Sequence, residues 1–141
     1  MERIRNKIFS IDEANRLLPV LETALESLSK TARDATMLRR EIEVLGAIAG
    51  SGASEESPDV RSLREKERAQ AALLERFRSD LASIARHGCV LRDLDLGLVD
   101  FYTMAQGRVV CLCWRRGEPC IEHWHPLDEG FSGRRPLSDL L

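Results

Sequence analysis

Aromatic residues make up only 5% of this 141-residue chain, and no apolar run comes near the ~20 residues a membrane-spanning helix needs. A transmembrane helix is therefore excluded at the level of sequence. Basic surplus is also missing: 21 Lys and Arg stand against 23 Asp and Glu, a net charge of −2. Phosphate-driven binding depends on such a surplus, so nucleic acid is not an expected partner. Cysteines number four, and the N-terminal MERIRNKIFS has no apolar block of the signal-peptide kind. The expectation is a cytoplasmic protein with reduced thiols. What is present, 43% hydrophobic and 31% charged residues, suits one soluble domain, 1–141, with a modest core.

Composition changes near Gly88. Residues 1–88 carry 15 Lys/Arg and 15 Asp/Glu but two aromatics, Phe9 and Phe77, whereas the other five aromatics lie in the last 53 residues. In the first part Leu17, Leu21, Leu25, Leu28, Ala32, Ala35, Leu38, Ile42 and Leu45 recur every three or four positions, the stripe of an amphipathic helix. Ser10 with Glu13 reads as a capping box and Phe9 as a hydrophobic staple, so the helix is expected to start at Ser10 or Ile11. Pro19 lacks an N–H and is expected to kink or break the helix at Leu18. Residues 46–59, rich in Gly, Ser and acids, read as a flexible loop. Asp59 is the expected cap of a second helix whose stripe of Leu63, Leu74, Phe77, Leu81 and Ile84 is weakened by Gln70 and ends at Gly88. Two long helices joined by one loop predict an antiparallel, coiled-coil-like hairpin over 10–88.

From residue 89 onward the helical period gives way to β-forming runs at Cys89 to Leu91, Leu98 to Tyr102, Arg108 to Trp114 and Cys120 to Trp124. Gln106-Gly107 and Arg116-Gly117 supply turn residues between them. The fold class is thus α+β, a long antiparallel helical hairpin packed with a small antiparallel C-terminal β-meander. One sheet face should cover the helices and the other should meet solvent or a partner. Register in the second hairpin decides which side chains meet. A two-residue loop at Arg116-Gly117 separates His123 and His125 from Cys111 and Cys113, while a three-residue loop at Arg115 to Gly117 puts all four on one face.

Three constellations carry chemistry. Cys111, Cys113, His123 and His125 are the ligand types of zinc, yet cysteines at i and i+2 of one strand project in parallel and converge poorly. Zinc is consequently an option that the sequence does not require. A nucleophilic cysteine would need Cys111, Cys113 or Cys120 beside His123 or His125. The third constellation gathers acids, histidines and arginines, led by Asp100, Glu118, His125 and Arg134. Asp100 sits inside the apolar run Leu98-Val99-Asp100-Phe101, where an ionised carboxylate demands a partner, with Arg134, Arg135 or a histidine expected. Trp114 and Trp124 would supply apolar walls for a small ligand.

Four blocks carry a resemblance: FSIDEANRLLP from Phe9, GCVLRDLDLGLVDF from Gly88, LCWRRGEP from Leu112 and HWHPLDEGFSGRRPL from His123. Together they resemble the bacterial family called domain of unknown function 2203. The resemblance implies a bacterial cytosolic protein and no particular activity. It marks Glu13, Asn15, Pro19, Gly97, Asp100, Cys113, Trp114, Glu118, Trp124, His125, Gly130 and Arg134 as the shared pattern, which Cys111 and His123 fit less well. The leading expectation is a self-associating interaction module, a homo-oligomer through its helical half. The alternative is an enzyme or a small-ligand or metal-binding protein. Ligand candidates are Asp100, Trp114, Glu118, His125 and Arg134, and metal candidates are Cys113, His123 and His125.

Overall fold

A computed structural model describes residues 7–50 and 54–140. Two long helices, α1 (Ile11–Ala49) and α2 (Pro58–Arg86), precede strands β1 (Val90–Asp93), β2 (Leu98–Ala105), β3 (Arg108–Arg115), β4 (His123–His125) and β5 (Arg135–Pro136). The strands form one antiparallel sheet in the order β1-β2-β3-β4-β5, so the α+β architecture is the expected one with an added fifth strand. Helix α1 starts where its capping box requires: Ser10 N–H donates to Glu13 Oε1 and Glu13 N–H to Ser10 Oγ, both at 3.1 Å.

Several boundaries differ from the sequence expectation, each for a local reason. Helix α1 passes through Pro19 without a break, with the ring on an exposed position. It also continues through Gly46 to Ala49 and ends at Gly50, whose φ of +67° is the left-handed value of a helix C-cap. The second helix is capped by Ser57 rather than Asp59. Ser57 Oγ accepts from Val60 N–H at 3.2 Å, and Pro58 occupies the first helical position, where its missing N–H costs nothing. Of the expected 46–59 loop, residues 51–53 lie outside the described residues.

The chain divides into two compact units, and the division does not fall at the composition change near Gly88. One unit is residues 28–80, a helical hairpin, and the other combines the described residues up to 27 with those from 81 onward. In the hairpin unit the helices run antiparallel, with Lys66 of α2 paired to Glu41 of α1 at 2.9 Å. In the sheet unit the strand pleat sorts residues into two faces. Val99, Phe101, Val110, Leu112, Trp114 and Trp124 share the inner face and are buried together with Ala14, Leu18, Leu21 and Leu25 of α1 and Ile84 of α2. Phe9 completes this core by setting its ring edge-on to Phe101, centroids 5.2 Å apart. Polar links tie α1 to the sheet's connections: Asn15 Oδ1 accepts from Ile121 N–H at 2.7 Å and Glu22 Oε1 from Gly117 N–H at 3.1 Å.

The β3–β4 connection has neither a two-residue nor a three-residue loop. Cys113 pairs with His123 and Cys111 with His125, leaving residues 116–122 as the loop. Pro119 has no N–H for a ladder, and Glu118 is drawn inward, its carbonyl accepting from Trp114 Nε1 at 3.0 Å and its carboxylate from Arg115 N–H at 2.6 Å. The strand expected from Cys120 therefore begins at His123. The parity is nevertheless that of the three-residue loop, so Cys111, Cys113, His123 and His125 share the outer face.

Glu13 offers a pH test of the helix start. A hydrogen bond from Lys7, 2.6 Å away, followed by those from Ser10, lowers its carboxyl to about 2. A carboxyl depressed in the folded state adds stability that is present above its unfolded value near 4.5 and is lost as pH falls toward 2. Glu13→Gln is expected to flatten that acid limb of the stability curve, and a carbon-detected NMR titration of Glu13 is expected to give its midpoint near 2.

Candidate functional site

Asp100 of β2 pairs in register with Cys113 of β3, and the β3–β4 register places His125 diagonally across from Cys113. All three point to the outer face, which the sequence reading left to solvent or a partner. Instead its centre is closed: Asp100 is 3% exposed, Cys113 1% and His125 2%. The cover is the chain's own C-terminal segment, and between the two lies a cleft of about 270 Å³ lined by Arg92, Leu98, Asp100, Cys113, His125 and residues 127–131.

Electrostatics inside this cleft are set by Asp100. Burial would raise its carboxyl, but His125 Nε2 at 3.0 Å and Arg92 Nε at 2.9 Å, both on Oδ2, outweigh burial and hold it below the ordinary carboxylate value. Arg92 reaches Asp100 from β1, where the ladder is irregular between Leu91 and Asp93. On the other side of its ring, His125 Nδ1 donates to the Pro126 carbonyl at 2.8 Å. A carbonyl can only accept, so Nδ1 carries a hydrogen, and a carboxylate at Nε2 calls for a second. The hydrogen bond to Asp100, then the Cys113 contact, accordingly raise the imidazole to about 10 against the opposing effect of burial. The result is an imidazolium–carboxylate–guanidinium row beneath the C-terminal segment. With both nitrogens engaged, His125 has no free lone pair with which to take a proton from Cys113, so the arrangement is not that of an activated thiol. Burial also pushes the neighbouring Cys111 thiol up to about 11.

The expected group separates into two pairs on either side of Cys113. Asp100 and His125 line the cleft. Glu118 and Arg134 form the second pair at 2.5 Å, and Arg134 also donates to the Cys113 carbonyl at 3.2 Å. Arg134 stacks over Phe131, 5.0 Å from the ring centroid, so this pair pins the C-terminal segment onto the sheet. His123 is turned toward Glu118, its Nδ1 3.4 Å from Oε2, rather than toward Cys113 and His125. Trp114 and Trp124 belong to the inner face and are no walls of the cleft. Those walls are Leu98, Leu127 and Phe131. The residue that sequence reasoning missed is Arg92. It sits unpaired at the irregularity of the β1–β2 ladder, so its place beside Asp100 is legible only once that register is known.

Removing one member of a buried ion pair strands its partner, which typically costs about 3–5 kcal/mol, whereas replacing both by apolar groups costs far less. Asp100→Asn is expected to lower unfolding stability in urea by about 3 kcal/mol at pH 7. The double variant Asp100→Leu with His125→Leu should lose clearly less than the sum of the two single leucine variants. Additive losses in that double-mutant cycle would show the two groups to be energetically independent.

Among known proteins, no curated protein and no solved structure matches this chain. A family model described as uncharacterised conserved protein (DUF2203) matches residues 7–137, a span that takes in both helices, the five strands and every residue of the cleft. The chain that carries the buried Asp100–His125 pair belongs to the DUF2203 family.

Proposed function

We propose that the protein works as a self-associating module, with residues 28–80 as the surface through which two copies join. The observation that supports this reading is the poverty of burial in that unit. Of its described hydrophobic residues only Leu28 and Val60 are buried, while the inner stripe of Ala35, Leu38, Ile42, Leu45, Leu63 and Phe77 stays half-exposed. Met37 is 61% exposed and Ile48 64%. A two-helix hairpin leaves such stripes half-covered, and a second hairpin laid against the first completes a four-helix core.

Two further features favour a second copy as the occupant. Residues 28–80 hold 10 Lys/Arg and 10 Asp/Glu, so the unit carries no net charge to repel its duplicate. A groove of about 240 Å³ runs between the helices, lined by Ala32, Ala35, Leu73, Leu74 and Phe77 among others. Gln70 lies in it, with Oε1 buried and lacking a hydrogen-bond partner among the described residues. A buried unsatisfied carbonyl costs about 1–3 kcal/mol, and a donor from an opposing helix would remove that cost.

The cleft on the sheet supports a second reading, small-ligand binding, because it places the buried Asp100–His125 pair, with the half-exposed Arg92 beside it, within reach of an open volume. The two readings concern separate units and are tested separately. Self-association predicts a dimer in sedimentation equilibrium and a melting temperature that rises with protein concentration. Leu74→Glu puts a charge into the groove and is expected to weaken the dimer at least about tenfold, or ~1.4 kcal/mol. A strict monomer up to the highest soluble concentration would overturn the proposal.

A further inference from the structure

The geometry points to a binding site for a divalent transition-metal ion of the zinc class, held by Asp100, Cys113 and His125, with its fourth position open to the cleft. This inference concerns the sheet unit and stands apart from self-association. One carboxylate oxygen, one sulfur and one imidazole nitrogen lie within 4.8 Å of one another, the one such group of three among the described residues, and all three residues are buried. Nitrogen, sulfur and oxygen together form a borderline donor set, which suits Zn²⁺ better than the all-oxygen surroundings of Mg²⁺ or Ca²⁺.

The earlier objection to zinc was that Cys111 and Cys113 project in parallel from one strand. It does not apply to this trio, because β2, β3 and β4 each contribute one ligand and the three ligand atoms converge across strands. Metal–ligand bonds of about 2.0–2.3 Å in a tetrahedron separate the ligand atoms by about 3.3–3.8 Å, so side-chain rotations of modest size complete the site. Its outer contacts are already in place. His125 Nδ1 donates to the Pro126 carbonyl, the orientation that presents Nε2 to a metal. Arg92 holds one oxygen of Asp100 and leaves the other for coordination. Charge also balances: a dication displacing one proton from the imidazolium and one from the thiol leaves the buried net charge unchanged. Three protein ligands with a fourth position facing a cleft are the pattern of sites that bind an exchangeable water or ligand rather than of purely structural zinc.

Cobalt is the probe. The full chain, treated with chelator and then dialysed, is titrated with Co²⁺ while visible and near-ultraviolet absorption is recorded. The site predicts one Co²⁺ per chain, intense tetrahedral d–d bands and a sulfur-to-cobalt charge-transfer band, all displaced by Zn²⁺. Cys113→Ser is expected to abolish the charge-transfer band and to weaken binding by more than the roughly 10–100-fold that loss of an outer contact costs. Cys120→Ser, which alters the exposed thiol, is expected to keep the band. In the unmutated chain, proton NMR of the cobalt form should show one hyperfine-shifted exchangeable ring proton, that of His125 Nδ1, a readout independent of whether a variant folds. Folded protein that binds less than one Co²⁺ per chain overturns the proposal. So does a charge-transfer band that survives Cys113→Ser or vanishes with Cys120→Ser. A chain that ignores Co²⁺ but is thermally stabilised by inorganic phosphate would mark the cleft as an anion pocket, which equally overturns it.

Discussion

A carboxylate buried in a sheet has to be met by cations, and this constraint organises the C-terminal half of the molecule. Asp100 sits in the second strand with almost no access to water. Its charge is tolerable only because Arg92 from β1 and His125 from β4 converge on the same oxygen. Three strands, β1, β2 and β4, are thereby held in one register. A slip of one residue in either neighbouring pairing would send its cation to the opposite face and leave the carboxylate alone. Breaking the row by removing one member is costly, because a buried charge is left without its partner.

A second charged pair does for the C-terminal segment what the first does for the strands. Glu118 is fastened at its carboxylate by Arg115 N–H and Arg134, and at its carbonyl by the Trp114 indole. Because Arg134 also reaches the Cys113 carbonyl, the segment is latched directly over the Asp100–His125 pair. The outer face consequently becomes a roofed cleft. Asp100 and His125 beneath it have almost no access to water, which strengthens the interaction between them. The two compact units thus differ in character. The sheet unit has a well-buried core and a polar cleft, whereas the helical unit leaves its apolar stripe half-wet.

Much of this was legible in the sequence because it depended on local rules. The Ser10–Glu13 box set the first helix start, three- and four-residue spacing set both stripes, and Gln106-Gly107 closed the β2–β3 hairpin, both residues having positive φ. The partner of Asp100 was anticipated as a histidine or an arginine from the distal segment. The misplacements have different causes, some local and some from a neighbour far along the chain. Ser57 displaced Asp59 as cap because Pro58 favours the first helical position. The strand expected at Cys120 was diverted because Ile121 N–H bonds Asn15, 106 residues earlier. A two-residue strand containing Pro136 gives no periodic signal at all, so β5 was invisible.

By itself, then, the sequence determined the element types, the helical hairpin, the meander and the need of Asp100 for a cationic partner, since each follows from periodicity, capping or the desolvation of charge. Tertiary structure alone decided which cation that partner is. Arg92 and His125 were selected, and Arg134 was sent to Glu118, because face assignment depends on the summed parity of two strand registers and a seven-residue loop. No local rule carries that sum. The same reason explains why the trio of Asp100, Cys113 and His125 was not seen beforehand: its members are separated by 12 residues or more along the chain and meet only across strands.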